Sequence, residues 1–211
     1  MHNKFEALES LIPAIKDIYS DIDNDGPIKL TDKHFILYNG NPNSKLMIVK
    51  FSPSSEEIFW AKRNKEHVGY LFENNRYYFK NKLGIDIRED SFCCALCPFH
   101  VTSSDFFAEH IIPQIMWIFD GYIDIIKPKV VLATSFRVLH SILLYKYHTE
   151  LDRSDFDEDL LHGNSFYTVE DDITYAGIEL QSSKTGTLKV LKKLKILYSN
   201  MLHTSIQGEL K

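Results

Sequence analysis

The sequence predicts an α/β protein with three layers, α/β/α, in which helices cover both faces of a central sheet of four parallel strands. Four apolar segments of strand length alternate with longer segments of helical periodicity, and this alternation is typical of parallel sheets joined by right-handed crossovers. The first of them, Leu46–Val49, is apolar at every position, as in strands that are covered on both faces. The length of 211 residues suits one domain with a sizeable core. We expect a single domain over 1–211, with a helical extension at about 1–40.

The elements follow in order from the periodicity and from the residues that interrupt it. Strands are predicted at 45–52, 91–97, 128–135 and 173–181. Helices are predicted at 3–19, 55–65, 70–83, 104–126, 136–147 and 186–203. Pro113 predicts a kink or a restart in its helix, because a proline removes a helical hydrogen bond. The acidic stretch 152–159 is expected to be a surface loop or a short helix.

The carboxyl ends of the four strands are where a ligand is expected, because open parallel sheets bind ligands at that edge. The segments at these ends read FSPSSEE, CPFHVTSS, ATSFR and LQSSKTG. Three of the four are rich in serine and threonine, and the first turn lacks the glycines that often bind a phosphate. The sequence therefore predicts a polar site at this edge that does not depend on a glycine-rich loop.

Charge and hydropathy restrict the partners of the protein. A net charge of −5 gives no overall attraction to nucleic acid, so binding to DNA requires a local basic patch. No apolar run is long enough to cross a bilayer, and the N-terminal sequence MHNKFEALES does not resemble a signal peptide. We expect a cytoplasmic protein with no membrane partner.

The three cysteines, Cys93, Cys94 and Cys97, lie close together in the predicted second strand. The spacing of Cys94 and Cys97 is one that metal and redox sites use. Alternation along a strand would place Cys94 on one face and the other two on the opposite face. The chain has no further cysteine to complete a four-thiolate site. The sequence favours buried, reduced thiols and predicts no metal ion and no cofactor.

Five segments then carry a resemblance to a known family: IVKFSPSSEE, GYLF (Gly69–Phe72), FCCALCPF, KPKVVLATS and ELQSSKTG. In their order and spacing, over about 45–200, they resemble the motifs of the uracil-DNA glycosylase superfamily. FCCALCPF is most similar to the single-strand-selective monofunctional branch. The resemblance implies a uracil-DNA-glycosylase-like fold and an enzyme that flips a base out of DNA and hydrolyses its N-glycosidic bond.

Three residues occupy the positions at which the family contacts the base. Phe72 matches the aromatic residue that stacks on the flipped base, although an aromatic residue after a glycine is also common in a core. Ala95 replaces the asparagine that reads the edge of uracil, so selection of plain uracil is not expected. The space could admit a bulkier modified pyrimidine or a neighbouring side chain. Phe51 replaces a polar residue that assists cleavage, and Lys50 replaces the glycine before it.

Four residues are candidates for the hydrolysis itself. Ser52 could bind a water molecule or a phosphate. Glu56 or Glu57 could supply the carboxylate that the position of Phe51 lacks, or both could be acidic residues favoured by the dipole at a helix N-terminus. His100 could act as an acid, a base or a phosphate ligand, or it could be an ordinary loop histidine.

A further group is expected to contact DNA phosphates. The loop histidine that stabilises departing uracil in the family falls near Gln181 in this chain. The hydroxyls and lysines around it suit phosphate oxygens, although Ser54 also suits a turn and the lysines also suit a solvated surface. The predicted DNA-binding residues are Ser54, Ser182, Ser183, Lys184 and Lys189.

The sequence therefore predicts a DNA-binding protein, single- or double-stranded DNA being its partner. The expected activity is that of a DNA glycosylase acting on a modified or damaged base, in base-excision DNA repair. The alternative is a catalytically silent relative that binds DNA or a protein partner through the same face. A small-molecule enzyme that uses the same strand ends is a third possibility.

Overall fold

The computed structural model describes residues 3–25, 34–101, 112–168, 172–180 and 185–208. The strands are β1 (Asn39–Gly40), β2 (Leu46–Lys50), β3 (Phe92–Ala95), β4 (Val130–Ala133), β5 (Phe166–Thr168) and β6 (Thr174–Gly177). The helices are α1 (Lys4–Glu9), α2 (Ile12–Asp25), α3 (Ser55–Asn64), α4 (Arg76–Leu83), α5 (Ile112–Ile126), α6 (Phe136–Tyr147), α7 (Arg153–His162) and α8 (Thr185–Gly208). A 3-10 turn at Glu73–Asn75 precedes α4. None of the described helices has the length and apolar character needed to cross a membrane.

The strands form one six-stranded sheet in the order β1-β3-β2-β4-β6-β5. The four middle strands run parallel to one another, whereas β1 and β5 pair antiparallel at the two edges. In the centre, Ile48 of β2 pairs with Cys93 of β3 and with Leu132 of β4. The protein is thus a mixed α/β protein with a mostly parallel sheet, and its four parallel strands are the four that the sequence predicts.

The two edge strands have no counterpart in the prediction of four strands. β1 has two residues and β5 has three, and segments this short show no period. The predicted strands are also longer than the observed ones, because their last residues leave the sheet and enter the turns at its carboxyl edge. The sheet therefore has six strands, and the loops that follow its parallel strands are longer than the sequence predicts.

The helices differ from the prediction mainly at their ends. The single helix predicted at 3–19 is two helices, since α1 ends at Glu9 and is followed by Ser10, whose hydroxyl donates to the carbonyl of Ala7. The acidic stretch forms the helix α7, capped by Asp152. Pro113 lies in the first turn of α5, where its missing N–H is tolerated. Residues 104–111 of the helix predicted there lie outside the described residues.

The three cysteines are buried and reduced in and after β3. Burial raises the pKa of each thiol, that of Cys93 to about 12. Ser91 Oγ lies 3.4 Å from Cys93 Sγ, and the Cys97 thiol donates to the carbonyl of Phe99 at 3.5 Å. These are the contacts of small core side chains, which agrees with the predicted buried, reduced thiols.

Candidate functional site

A cleft of about 400 Å³ opens at the carboxyl ends of β2, β4 and β6. This volume lies within the range of small-molecule sites in proteins. Four segments form the cleft: the end of β2, the turn before α4, the segment that follows β4 and the segment that follows β6. Its lining residues are Lys50, Phe51, Ser52, Phe72, Asn75, Thr134, Ser135, Glu179 and Leu180.

The end of β2 supplies one wall of the cleft through Lys50, Phe51 and Ser52. The backbone here stays attached to the chain beyond β3, because the carbonyls of Lys50 and Phe51 accept the N–H groups of Leu96 and Cys97 at 2.9 Å each. Phe51 is half-buried. The guanidinium of Arg137 lies 5.5 Å from the centroid of its ring. The backbone of Phe51 is therefore fixed by a hydrogen bond, and its ring lies next to the cation of Arg137.

Glu57 connects this wall to the neighbouring turn through a buried carboxylate. The side chain of Ser54 accepts the N–H of Glu57, and Glu57 Oε2 accepts the N–H of Ser54 at 2.6 Å, which forms a capping box at the start of α3. The same oxygen lies 2.6 Å from Lys50 Nζ. Glu57 Oε1 accepts the N–H of Phe72 at 2.7 Å. One carboxylate thus holds the strand end, the helix start and the segment that carries Phe72.

Phe72 lines the cleft with a ring that is otherwise enclosed by the protein, being 1% exposed. Its φ of 63° lies in the left-handed region, which is costly for a residue with a side chain. The bond to Glu57 holds the backbone in this conformation. The ring packs edge-on against Phe79 at 5.8 Å between centroids, and Lys50 Nζ lies 5.0 Å from its centroid. Phe72 and Lys50 thus line the cleft together, an aromatic side chain beside an ammonium group.

The segments that follow β4 and β6 contribute hydroxyls and one carboxylate to the cleft. The hydroxyl of Thr134 donates to the carbonyl of Val49 at 3.0 Å. Ser135 caps α6. Glu179 is the carboxylate among the residues that line the cleft. Its Oε1 accepts the N–H of Phe136 at 3.1 Å and lies 3.1 Å from Arg153 Nη1. Glu179 is therefore oriented by a helix N-terminus and an arginine.

The predicted base-binding and catalytic residues are divided between the cleft and its surroundings. Phe51, Ser52 and Phe72 line it together. Ala95 is the buried last residue of β3 and is not among the lining residues. Glu57 is not among the lining residues either, and its carboxylate binds Lys50 and the backbone of Phe72, which are.

Two further catalytic candidates lie near the cleft and have local partners. Glu56 is exposed on α3, and its Oε2 accepts from Asn74 Nδ2 at 2.8 Å. His100 Nδ1 lies 2.9 Å from the carbonyl oxygen of Pro53. A carbonyl only accepts, so Nδ1 carries the proton and His100 fixes the turn that precedes α3.

The predicted phosphate-binding residues are only partly described. Ser54 is the N-cap of α3. Lys189 Nζ donates to the carbonyl of Leu161 at 2.9 Å, which joins α8 to α7. Ser182, Ser183 and Lys184 lie outside the described residues.

Three residues of the cleft have no place in the sequence-based prediction: Lys50 as a functional group, Asn75 and Glu179. Thr134, Ser135 and Leu180 lie in the segments ATSFR and LQSSKTG, where a ligand is expected because open parallel sheets bind ligands at the carboxyl ends of their strands. Sequence motifs point only to the positions that match them. They give no signal for a residue that contributes from elsewhere in the chain.

The fold and the cleft define an α/β protein with a mixed aromatic and polar site at the carboxyl ends of its parallel strands. Within the described ranges, no group of three or more histidine, cysteine, aspartate or glutamate residues could hold a metal ion. A scan against protein-family models finds no match to this chain, and a comparison with curated proteins finds no significant relative.

Proposed function

We propose that this protein binds DNA and hydrolyses the N-glycosidic bond of a modified or damaged base held in the cleft. The single observation that carries this proposal is that Phe51, Ser52 and Phe72, the residues expected at a base pocket, line one cleft at the carboxyl ends of the parallel strands. In this proposal the fold is the three-layer fold of the uracil-DNA glycosylases. The protein acts in the cytoplasm, in base-excision repair.

The base would lie against the rings of Phe51 and Phe72, and the polar lining would bind its edge. Stacking on an aromatic side chain tolerates many bases. The hydroxyl of Ser52 and the amide of Asn75 can each donate or accept a hydrogen bond, and the hydroxyl of Thr134, which donates to Val49, can accept one. Because Ala95 gives no side-chain hydrogen bond, the base would be selected by these groups and not by the edge contact that recognises uracil.

Hydrolysis needs charges of both signs, one for the sugar and one for the departing base. Glu179 is the carboxylate on the cleft wall, and its anchored Oε1 fixes its orientation. It would orient the attacking water and stabilise the positive charge that develops on the sugar. Lys50, at 5.0 Å from the Phe72 ring, would stabilise the negative charge on the departing base. These two residues replace the roles expected for Glu56 or Glu57 and for the loop histidine of the family.

The second candidate function is that of a catalytically silent relative that binds DNA, or a protein partner, through the same face. The contacts of Glu57 favour it. Its carboxylate is buried, accepts two backbone N–H groups and pairs with Lys50, which are the contacts of a structural residue. If Glu179 performs no chemistry either, the cleft would hold a base without cleaving it.

A base-release experiment separates these functions. Single strands and duplexes that carry uracil, hydroxymethyluracil, glucosylated cytosine or deaminated purines would be incubated with the protein, and free bases would be measured by mass spectrometry. Release of at least one modified base supports the enzyme, and efficient release of plain uracil contradicts the altered pocket. If no base is released while DNA binds, the silent relative is supported.

The salt dependence of binding tests the DNA partner independently of catalysis. Counterion release makes the affinity for DNA fall steeply with salt, and each lost phosphate contact lowers the slope by about one. We expect Lys184→Ala and Lys189→Ala to lower the slope if these lysines contact phosphates. Lys82→Ala on α4 is a control. An absence of binding at low salt would point to a partner other than nucleic acid, or to a small-molecule substrate.

A further inference from the structure

The outer face of α3 carries two exposed aromatic side chains. Phe59 is 57% exposed and Trp60 is 41% exposed. Their rings pack edge to face at 5.3 Å, and the guanidinium of Arg63 lies 5.4 Å from the centroid of Trp60. We call Glu56, Phe59, Trp60 and Arg63 the α3 stripe, since residues spaced i, i+3, i+4 and i+7 share one face of a helix. Phenylalanine and tryptophan side chains usually bury most of their surface, whereas these two are open to solvent.

The α3 stripe begins at the rim of the cleft. Glu56 accepts a hydrogen bond from Asn74, and the next residue, Asn75, lines the cleft. At 1.5 Å per residue, Trp60 lies roughly 6 Å further along the helix axis than Glu56. The two aromatic residues therefore lie about one helical turn from the residue that contacts the rim of the cleft.

The charges around the rings indicate which kind of partner fits them. Lys62 and Arg63 lie in the last turn of α3, and Lys65 follows it; all three are exposed. Aromatic rings next to cations are the combination that binds single-stranded nucleic acid, since the rings stack on bases and the cations contact phosphates. The bases of a duplex are already stacked on one another, so a duplex offers no free faces to these rings.

We propose that the α3 stripe is a stacking platform for unpaired nucleotides of the DNA strand that places a base in the cleft. This proposal rests on the proposed function and adds to it that the preferred substrate is single-stranded. Phe59 and Trp60 contact nucleotides next to the bound base, and Arg63 contacts their phosphates. The chain thereby gains local affinity for DNA despite its net charge of −5.

The tryptophans provide a matched test, because the protein contains two of them. Trp117 on α5 is 37% exposed, close to the 41% of Trp60. Trp117→Phe leaves Trp60 as the only tryptophan, and Trp60→Phe leaves Trp117. Each variant would be titrated with an oligothymidine single strand at low salt, with tryptophan fluorescence as the readout. We expect quenching in Trp117→Phe and none in Trp60→Phe.

Affinity measurements complete the test. Stacking of one base on an aromatic ring contributes about 1–3 kcal/mol, which corresponds to about 5- to 150-fold in affinity. Phe59→Ala and Trp60→Ala should each weaken single-strand binding within this range, whereas Trp117→Ala should leave it unchanged. Thermal unfolding of each variant identifies any that fail to fold, and Trp60→Phe, which keeps an aromatic ring, remains informative in that case.

Three results would overturn the platform: equal quenching of both tryptophans, binding of duplex as tight as that of the single strand, or a Trp60-dependent self-association in sedimentation equilibrium. The last would make the α3 stripe a contact between two copies of the chain. The platform and the proposed function can fail separately, because quenching requires no chemistry. Quenching without base release would contradict the enzyme alone, and base release without quenching would contradict the platform alone.

Discussion

Replacing Glu57 by alanine should destabilise the wall of the cleft, and the size of the effect follows from its contacts. The lost carboxylate would leave the N–H of Phe72 without an acceptor, which costs about 1–3 kcal/mol for a buried group. The interrupted cap of α3 costs about 1 kcal/mol. Lys50 is 18% exposed and can turn toward water, so its lost pair contributes only about 1 kcal/mol. We expect the free energy of unfolding to fall by about 3–5 kcal/mol.

Urea unfolding followed by circular dichroism measures this change, and a common slope against urea shows that the variants unfold alike. Glu57→Gln should lie between wild type and Glu57→Ala, since it keeps an acceptor for Phe72 but loses the charge. Glu56→Ala is the matched control, because this neighbour in the same turn is exposed and has its hydrogen bond on the surface. It should change the free energy by no more than about 0.5 kcal/mol. Equal effects of the two alanine variants would refute the reasoning.

The other predictions concern the pocket, a buried cysteine and the glycine that ends β1. Phe72→Ala should weaken binding of a flipped base by about 1–3 kcal/mol in a strand titration, and full affinity with the fold intact would remove Phe72 from the base site. Burial raises the pKa of Cys93 to about 12 from an ordinary value of 9.0, so the unfolded state releases the proton first as pH rises. Urea midpoints should therefore fall from about pH 9 toward pH 12, less so in Cys93→Ala, and an equal fall in both would contradict this. Gly40→Ala should destabilise far more than Gly69→Ala: both have positive φ, but a Cβ at Gly40 would lie 2.1 Å from the carbonyl oxygen of Ser91, whereas at Gly69 it meets nothing within 4 Å. Similar unfolding midpoints for the two would contradict that explanation.

The parallel strands could be predicted from sequence, because strands that are buried on both faces are apolar at nearly every position. Leu46–Val49 and Val130–Ala133 are apolar at every position, and both are fully buried. The edge strands Asn39–Gly40 and Phe166–Thr168 could not be predicted, because segments of two and three residues are too short to show a period. Local pattern identifies a strand only where the strand is long enough to repeat it.

The candidate site could be predicted where it follows from strand ends and not where it depends on contacts between segments. The Ser54–Glu57 spacing indicates a capping box, but nothing in it indicates that the same carboxylate holds Phe72, fifteen residues further on. Glu179 was missed for a similar reason. Its orientation comes from the N-terminus of α6 and from Arg153, two partners that only the folded chain brings to it.

The central claim is that a base of DNA enters the cleft, and photochemical cross-linking tests it most directly. A single strand with one 5-iodouracil would be irradiated with the protein, and the attached peptide identified by mass spectrometry. This measurement requires no catalysis, so it applies equally to the enzyme and to the silent relative. We predict cross-links to peptides that contain Phe51 or Phe72, lost when the unlabelled strand competes. Cross-links confined to surfaces away from the cleft would contradict the claim.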